Sequence, residues 1–178
     1  MSVTTTHDEG LTIADLEAMP DDGRRYELVG GAIVVTPAPM KPHQRTSRGM
    51  FRHLDVVCPP GHEVFYAPID LDLSGGQRVE PDLVVAPVTS GPIERLEMPV
   101  LLVVEIVSGG SRTHDRVTKR AAYAEAGIPA YWIVDPLAGR ITCLRLVGQV
   151  YEVYAEGAAI DVDWPVSVQT SIDELARG

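Results

Sequence analysis

Residues 101–107, Leu-Leu-Val-Val-Glu-Ile-Val, constrain this chain more than any other segment: every side chain is apolar except Glu105. A short apolar run of this kind reads as a strand buried on both faces. Burying an ionised carboxylate there is costly without an opposite charge or hydrogen bonds, so the run calls for a cation beside Glu105. Upstream, Asp82 stands in Glu80-Pro81-Asp82 at the mouth of a second apolar run, Leu83-Val84-Val85-Ala86. Two carboxylates on neighbouring strands have the hard-oxygen chemistry to grip one divalent metal ion.

The rest of the chain divides into short elements. Thr12 is placed to cap a helix ending near Met19, followed by the turn Pro20-Asp21-Asp22-Gly23. Residues 25–29 and 32–35 flank Gly30-Gly31 as a tight hairpin. Met50, Phe51, Leu54 and Val57 recur at helical spacing, which predicts a helix over 42–57 that Pro59-Pro60 stops. One strand is expected over 63–73, then the Asp82 strand, then the Glu105 strand, which Ser108-Gly109-Gly110-Ser111 ends. Val117, Ala121 and Ala124 mark the expected inner stripe of the next helix, which stops at Gly127-Ile128-Pro129. Residues 130–134 return to sheet, a hairpin of 141–147 with 150–154 turns at Gly148-Gln149, and 172–176 form a short last helix. This order predicts an α/β (α+β) fold, a mixed central sheet flanked by helices, in one domain over 1–178 with a loose segment at 1–10.

At 178 residues and 45% hydrophobic, the chain has the apolar content for a real core. No stretch approaches the roughly 20 apolar residues that span a bilayer, and residues 1–10 lack the basic start and apolar run of a secretory signal. Cys58 and Cys143 are far apart with no Cys-x-x-Cys pattern, as expected of ordinary reduced residues in a cytoplasmic protein. The net charge of −10 opposes a dedicated nucleic-acid binder. Its distribution softens that objection, because residues 150–178 hold six acids and one base. Arg45, Arg48 and Arg52 share one face of the helix over 42–57, and Arg112, Arg116, Lys119 and Arg120 fall along the later one. Both groups read equally as solvated helix faces.

Strand alternation turns Val103, Glu105 and Val107 one way and Leu102, Val104 and Ile106 the other. A lysine two places after Glu105 would set an ammonium beside the carboxylate, yet that position is Val107. The chain has only two lysines, and Lys119, on the helix that follows the Glu105 strand, is the natural substitute. Arginine stays protonated and is a poor one. A plainer reading makes Asp115 and Lys119 a surface ion pair four residues apart, worth a few tenths of a kcal/mol.

Taken together, Arg25-Tyr26-Glu27-Leu28-Val29-Gly30-Gly31, His43-Gln44, Pro81-Asp82-Leu83-Val84-Val85, Val103-Val104-Glu105-Ile106-Val107-Ser108, Asp115, Lys119, Tyr123 and the run 127–136 resemble the putative restriction endonuclease family of the PD-(D/E)XK nuclease superfamily. The likeness covers roughly 11–175. It implies a restriction-endonuclease-like fold and hydrolysis of DNA phosphodiester bonds with Mg²⁺, for which Mn²⁺ can substitute. By the same likeness, Asp82 and Glu105 are metal ligands, joined by the Ile106 carbonyl, Lys119 is a relocated catalytic lysine, and Glu27 has a supporting metal role. A homodimer fits the two cuts that duplex cleavage needs. Ser108-Gly109-Gly110 departs from the family's more usual Ser-Pro. Val107 and the acidic balance favour the alternative, a nuclease-fold module that binds or assembles without cutting.

Weaker signals lead elsewhere and fail on spacing. Gly109-Gly110 fits neither a methyltransferase nor a phosphate loop. Ser108 lacks the Gly-x-Ser-x-Gly setting of a nucleophile. The five histidines lack zinc-ligand spacing, and His43 reads as a helix-start residue or a phosphate contact. Tyr131 and Trp132 read as core or as a dimer seam.

Overall fold

A computed structural model describes residues 10–36, 40–90, 93–107 and 114–177, the side chains of 114–116 excepted. Its first part runs α1 (Ile13–Glu17), β1 (Arg25–Val29), β2 (Ala32–Thr36), α2 (Lys41–Val57), β3 (His62–Tyr66), β4 (Leu71–Leu73), β5 (Gln77–Val79), β6 (Leu83–Pro87), β7 (Leu96–Glu97) and β8 (Leu102–Ile106). A π-helical turn (His114–Lys119) then leads into α3 (Arg120–Glu125), β9 (Ala130–Asp135), β10 (Arg140–Val147), β11 (Val150–Gly157), β12 (Ala159–Val162), β13 (Val168–Ser171) and α4 (Ile172–Arg177).

The fold is mixed α+β. Six strands form the central sheet in the order β11-β10-β9-β8-β6-β3, with β8 and β9 parallel and the other neighbours antiparallel. A second sheet, β2-β1-β5-β4-β7, and the pair β12-β13 complete the strands. Alternation along β8 sends its side chains into two separate cores. Leu102, Val104 and Ile106 pack with Met50 and Leu54 of α2, Trp132 of β9 and Leu175 of α4. Val103 and Val107 face the second sheet and α3, among Leu71, Tyr123 and Tyr131. The Gly30-Gly31 hairpin suits its sequence, since both residues have positive φ, at 60° and 72°, where side chains are disfavoured.

Three expectations need correction. The strand over 63–73 is two strands in different sheets, β3 and β4. Pro68 lies between them, and a residue without an N–H that also restrains its neighbour interrupts a ladder. The inner stripe of the helix after β8 is Lys119, Ala122 and Tyr123, whereas Val117 is 65% exposed and Ala121 is exposed. The π-helical turn explains the change, because its wider winding rotates the following face relative to a 3.6-residue period. Lys119 accordingly belongs to no solvated basic face. Most of the expected loose N-terminal segment and the Ser108-Gly109-Gly110-Ser111 break lie outside the described residues.

Candidate active site

The candidate site forms where β1, β6 and β8 meet the first turn of α2 and the start of α3. Antiparallel pairing sets Leu83 opposite Val104, so one step further the same register sets Asp82 opposite Glu105. Both side chains then lie on the face away from Leu83 and Val104. The Ile106 N–H donates to Asp82 Oδ2 at 2.7 Å, tying the two strands together at this point. Glu27 comes from β1, and Lys119 reaches in from the end of the π-helical turn.

Lys119 is fully buried and bridges two of these acids, with Nζ 2.7 Å from Glu27 Oε1 and 2.9 Å from Glu105 Oε1. The expected surface pairing with Asp115 involves a side chain outside the described residues, but Lys119 itself is not at the surface. One turn on, the Tyr123 hydroxyl donates to the same Glu105 Oε1 at 2.6 Å. Glu27 also accepts from the Glu80 N–H at 2.7 Å through Oε1 and from the Thr36 hydroxyl at 3.3 Å through Oε2. Burial alone would raise its pKa, but the charges of Lys119 and Arg25 and these hydrogen bonds outweigh that and lower it. Both oxygens of Glu27 accept from protein donors, and Oε1 anchors Lys119.

Asp82 is held differently. Its Oδ2 takes the Ile106 N–H and lies 3.1 Å from His43 Nε2, while Arg25 approaches Oδ1 at 3.5 Å. That second oxygen is buried and, among the described residues, has no hydrogen-bond partner. Burial would raise the Asp82 pKa; the His43 hydrogen bond and charge, the Arg25 charge and the Ile106 N–H together lower it. Arg25 also reaches Glu80 Oε1 at 3.4 Å. Burial works against its charge, yet Glu27, Asp82, Glu105 and Glu80 outweigh it and raise the guanidinium's pKa. Glu80 goes the other way, pushed up to about 7 by burial and by the nearby Glu27 and Asp70, against the opposing pull of Arg25.

Among the described residues the cluster brings four carboxylates, Glu27, Glu80, Asp82 and Glu105, together with Arg25, Lys119 and His43. Among the described residues no group of three or more His, Cys, Asp or Glu side chains is arranged to hold a metal. That arrangement still suits Mg²⁺, which keeps several waters and takes one or two carboxylates plus substrate phosphate rather than an all-protein cage. Asp82, with a buried oxygen that has no hydrogen-bond partner among the described residues, and Glu105 are the residues that could hold it.

Arg25, His43 and Glu80 join the site without being singled out for it by the sequence. Two of them left a signal. Arg25 shares a strand face with Glu27 two residues on, and Glu80 precedes Pro81-Asp82 directly. His43 arrives only because α2 packs with its first turn over Asp82, which no local pattern encodes.

This chain belongs to the Uma2 family, described as putative restriction endonuclease, whose model matches residues 13–170. The fold is also that of a putative nuclease belonging to DUF820 from Anabaena variabilis, whose crystal structure superposes with a TM-score of 0.70 at 18% sequence identity, covering 93% of this chain and 97% of that one. No curated protein matches the chain.

Proposed function

We propose that the protein is a divalent-metal-dependent endonuclease that hydrolyses phosphodiester bonds in DNA. The observation that carries this reading is the buried cluster of Asp82, Glu105, Glu27 and Lys119, built where β1, β6 and β8 meet. Family membership supports the reaction class. In this reading Asp82 and Glu105 hold the ion. When bound, Mg²⁺ or Mn²⁺ activates water and neutralises charge at the scissile phosphate.

The remaining roles fall to the chain's own groups. Lys119, fixed by Glu27 and Glu105, presents an ammonium that stabilises negative charge on the reacting phosphate and orients the attacking water. Tyr123 and Lys119 fix the Glu105 carboxylate by converging on one oxygen. His43 and the Ile106 N–H do the same for Asp82, leaving Oδ1 as the oxygen to be used. A symmetric pair of chains would supply the two cuts of a duplex.

The test is nicking of supercoiled plasmid by the purified chain in Mg²⁺ or Mn²⁺. Cleavage that disappears in Asp82→Ala and in Glu105→Ala is the expected result. Metal-independent cleavage, or cleavage retained in both variants, would sink the mechanism, and a well-folded wild type that never cuts would make the chain a binding or assembly module.

A further inference from the structure

We propose that the outer face of α2 is the track that carries the DNA backbone to the site, an inference that rests on DNA being the substrate. Lys41, Arg45, Arg48 and Arg52 recur at helical spacing and are all exposed, while Thr46, Gly49, Met50 and Leu54 on the opposite side are buried. Asp55 is the single acid on this helix. The chain as a whole has 25 acids and 15 bases, so a basic stripe this clean is a local inversion of its charge.

What the stripe touches separates it from an ordinary solvated face. Elsewhere the described arginines are engaged: Arg78 by Asp72 and Glu17, Arg120 by the Tyr151 carbonyl, Arg145 over the Trp164 ring. Among the described residues Lys41, Arg45 and Arg48 meet no carboxylate, carbonyl or ring. A basic helix face kept for solubility in an acid-rich chain would gain from acids three or four residues away, and none stands beside these. Cations such as Lys41, Arg45 and Arg48, with no partner among the described residues and one turn apart, are what a phosphate backbone recognises.

Position completes the argument. The stripe begins in the turn whose inner side sends His43 to Asp82, so one end of the track abuts the proposed reaction centre. At 1.5 Å per residue it extends about 16 Å, a length over which duplex DNA offers about ten phosphate charges. Binding is thereby concentrated on one helix of a chain whose net charge is −10.

The experiment measures binding of the full chain to a fluorescein-labelled DNA duplex by anisotropy, in EDTA to prevent cleavage, across 50–300 mM NaCl. Arg45→Ala/Arg48→Ala, both surface changes, should lower the slope of log K against log salt by about 1.8, close to 0.9 per lost phosphate contact. At about 0.1 M salt the affinity should fall at least about tenfold on the same scale. Arg140→Ala, in a β10 residue paired with Glu156, should bind like wild type. A double variant with the wild-type slope, or a wild type that binds no duplex at 50 mM salt, overturns the proposal. Plasmid nicking keeps the two readings apart. A chain that nicks while the double variant retains its slope loses only the track, and one whose binding needs the stripe but which never nicks loses only the hydrolysis.

Discussion

The two faces of β8 sit on one strand and stay buried for opposite reasons. On the α2 side, Leu102, Val104 and Ile106 lie among hydrocarbon, and removing them from water is itself the driving force. On the other side Glu105 is only 1% exposed, and the same burial opposes it. It is sustained by Lys119 and Tyr123, both of which reach one oxygen. A hydrocarbon face fails by leaving space, whereas a charged face fails by leaving charge. The two failures differ in pH dependence, which makes the comparison testable.

The largest effect is expected from Lys119→Met. This change keeps the aliphatic stem but strands Glu27 and Glu105, and removing one partner of a buried ion pair costs about 3–5 kcal/mol. The pH dependence has a definite sign. Without Lys119 the burial that raises the Glu27 carboxyl loses its strongest opposition, so the folded protein retains a proton that the unfolded chain has released. Stability then declines as pH rises from the ordinary carboxylate range toward neutrality. Urea unfolding at pH 5 and pH 8 should show a larger deficit at pH 8. Equal deficits at the two pH values would mean that Lys119 contributes packing rather than charge.

Leu102→Ala probes the opposite face. It should cost about 2–5 kcal/mol through lost transfer energy and a cavity, and the deficit should be the same at pH 5 and pH 8. A pH-dependent deficit would show that the two faces are coupled through the strand and would dissolve the contrast. Tyr123→Phe returns to the charged face with a smaller change. The ring keeps its edge-on contact with Tyr131, but the hydrogen bond to ionised Glu105 is lost, worth about 1.5–3 kcal/mol. Under the proposed mechanism the same variant should bind Mn²⁺ about 10–100-fold more weakly, the usual consequence of losing a group that orients a ligand. Lower stability with unchanged Mn²⁺ affinity would confine Tyr123 to folding.

The contrast between the faces also explains what could be read in advance. Glu105 was legible because a lone acid in an apolar run has few explanations, and the face assignment followed from strand period alone. Gly30-Gly31 and Gly148-Gln149 marked their hairpins through local backbone demands. The strands β5 and β7, of three and two residues, are too short to carry a period, and β12 and β13 also went unmarked. The π-helical turn defeated the helical stripe, since one change of winding moves Lys119 and Tyr123 inward in place of Val117 and Ala121. His43 reaches the site by tertiary packing, and a spacing argument sees only partners that are near in sequence or on adjoining elements.

Cys143 provides the smallest and cleanest perturbation. It lies in the same hydrocarbon core as Leu102 and Val104, fully buried. Burial pushes its thiol up to about 12 against the opposing hydrogen bond of Tyr154, so this ionisable group stays neutral. Cys58 is partly exposed at the C-terminal end of α2, its thiol raised less, by burial and by Asp55 and Glu63. Thiolate is the reacting form. A thiol-exchange reagent at pH 8 should therefore modify Cys58 in the folded protein and spare Cys143, which becomes reactive only with unfolding in urea. Rapid labelling of both thiols in the native state would mean that the hydrocarbon face opens locally, and that its burial is less secure than that of the charged face.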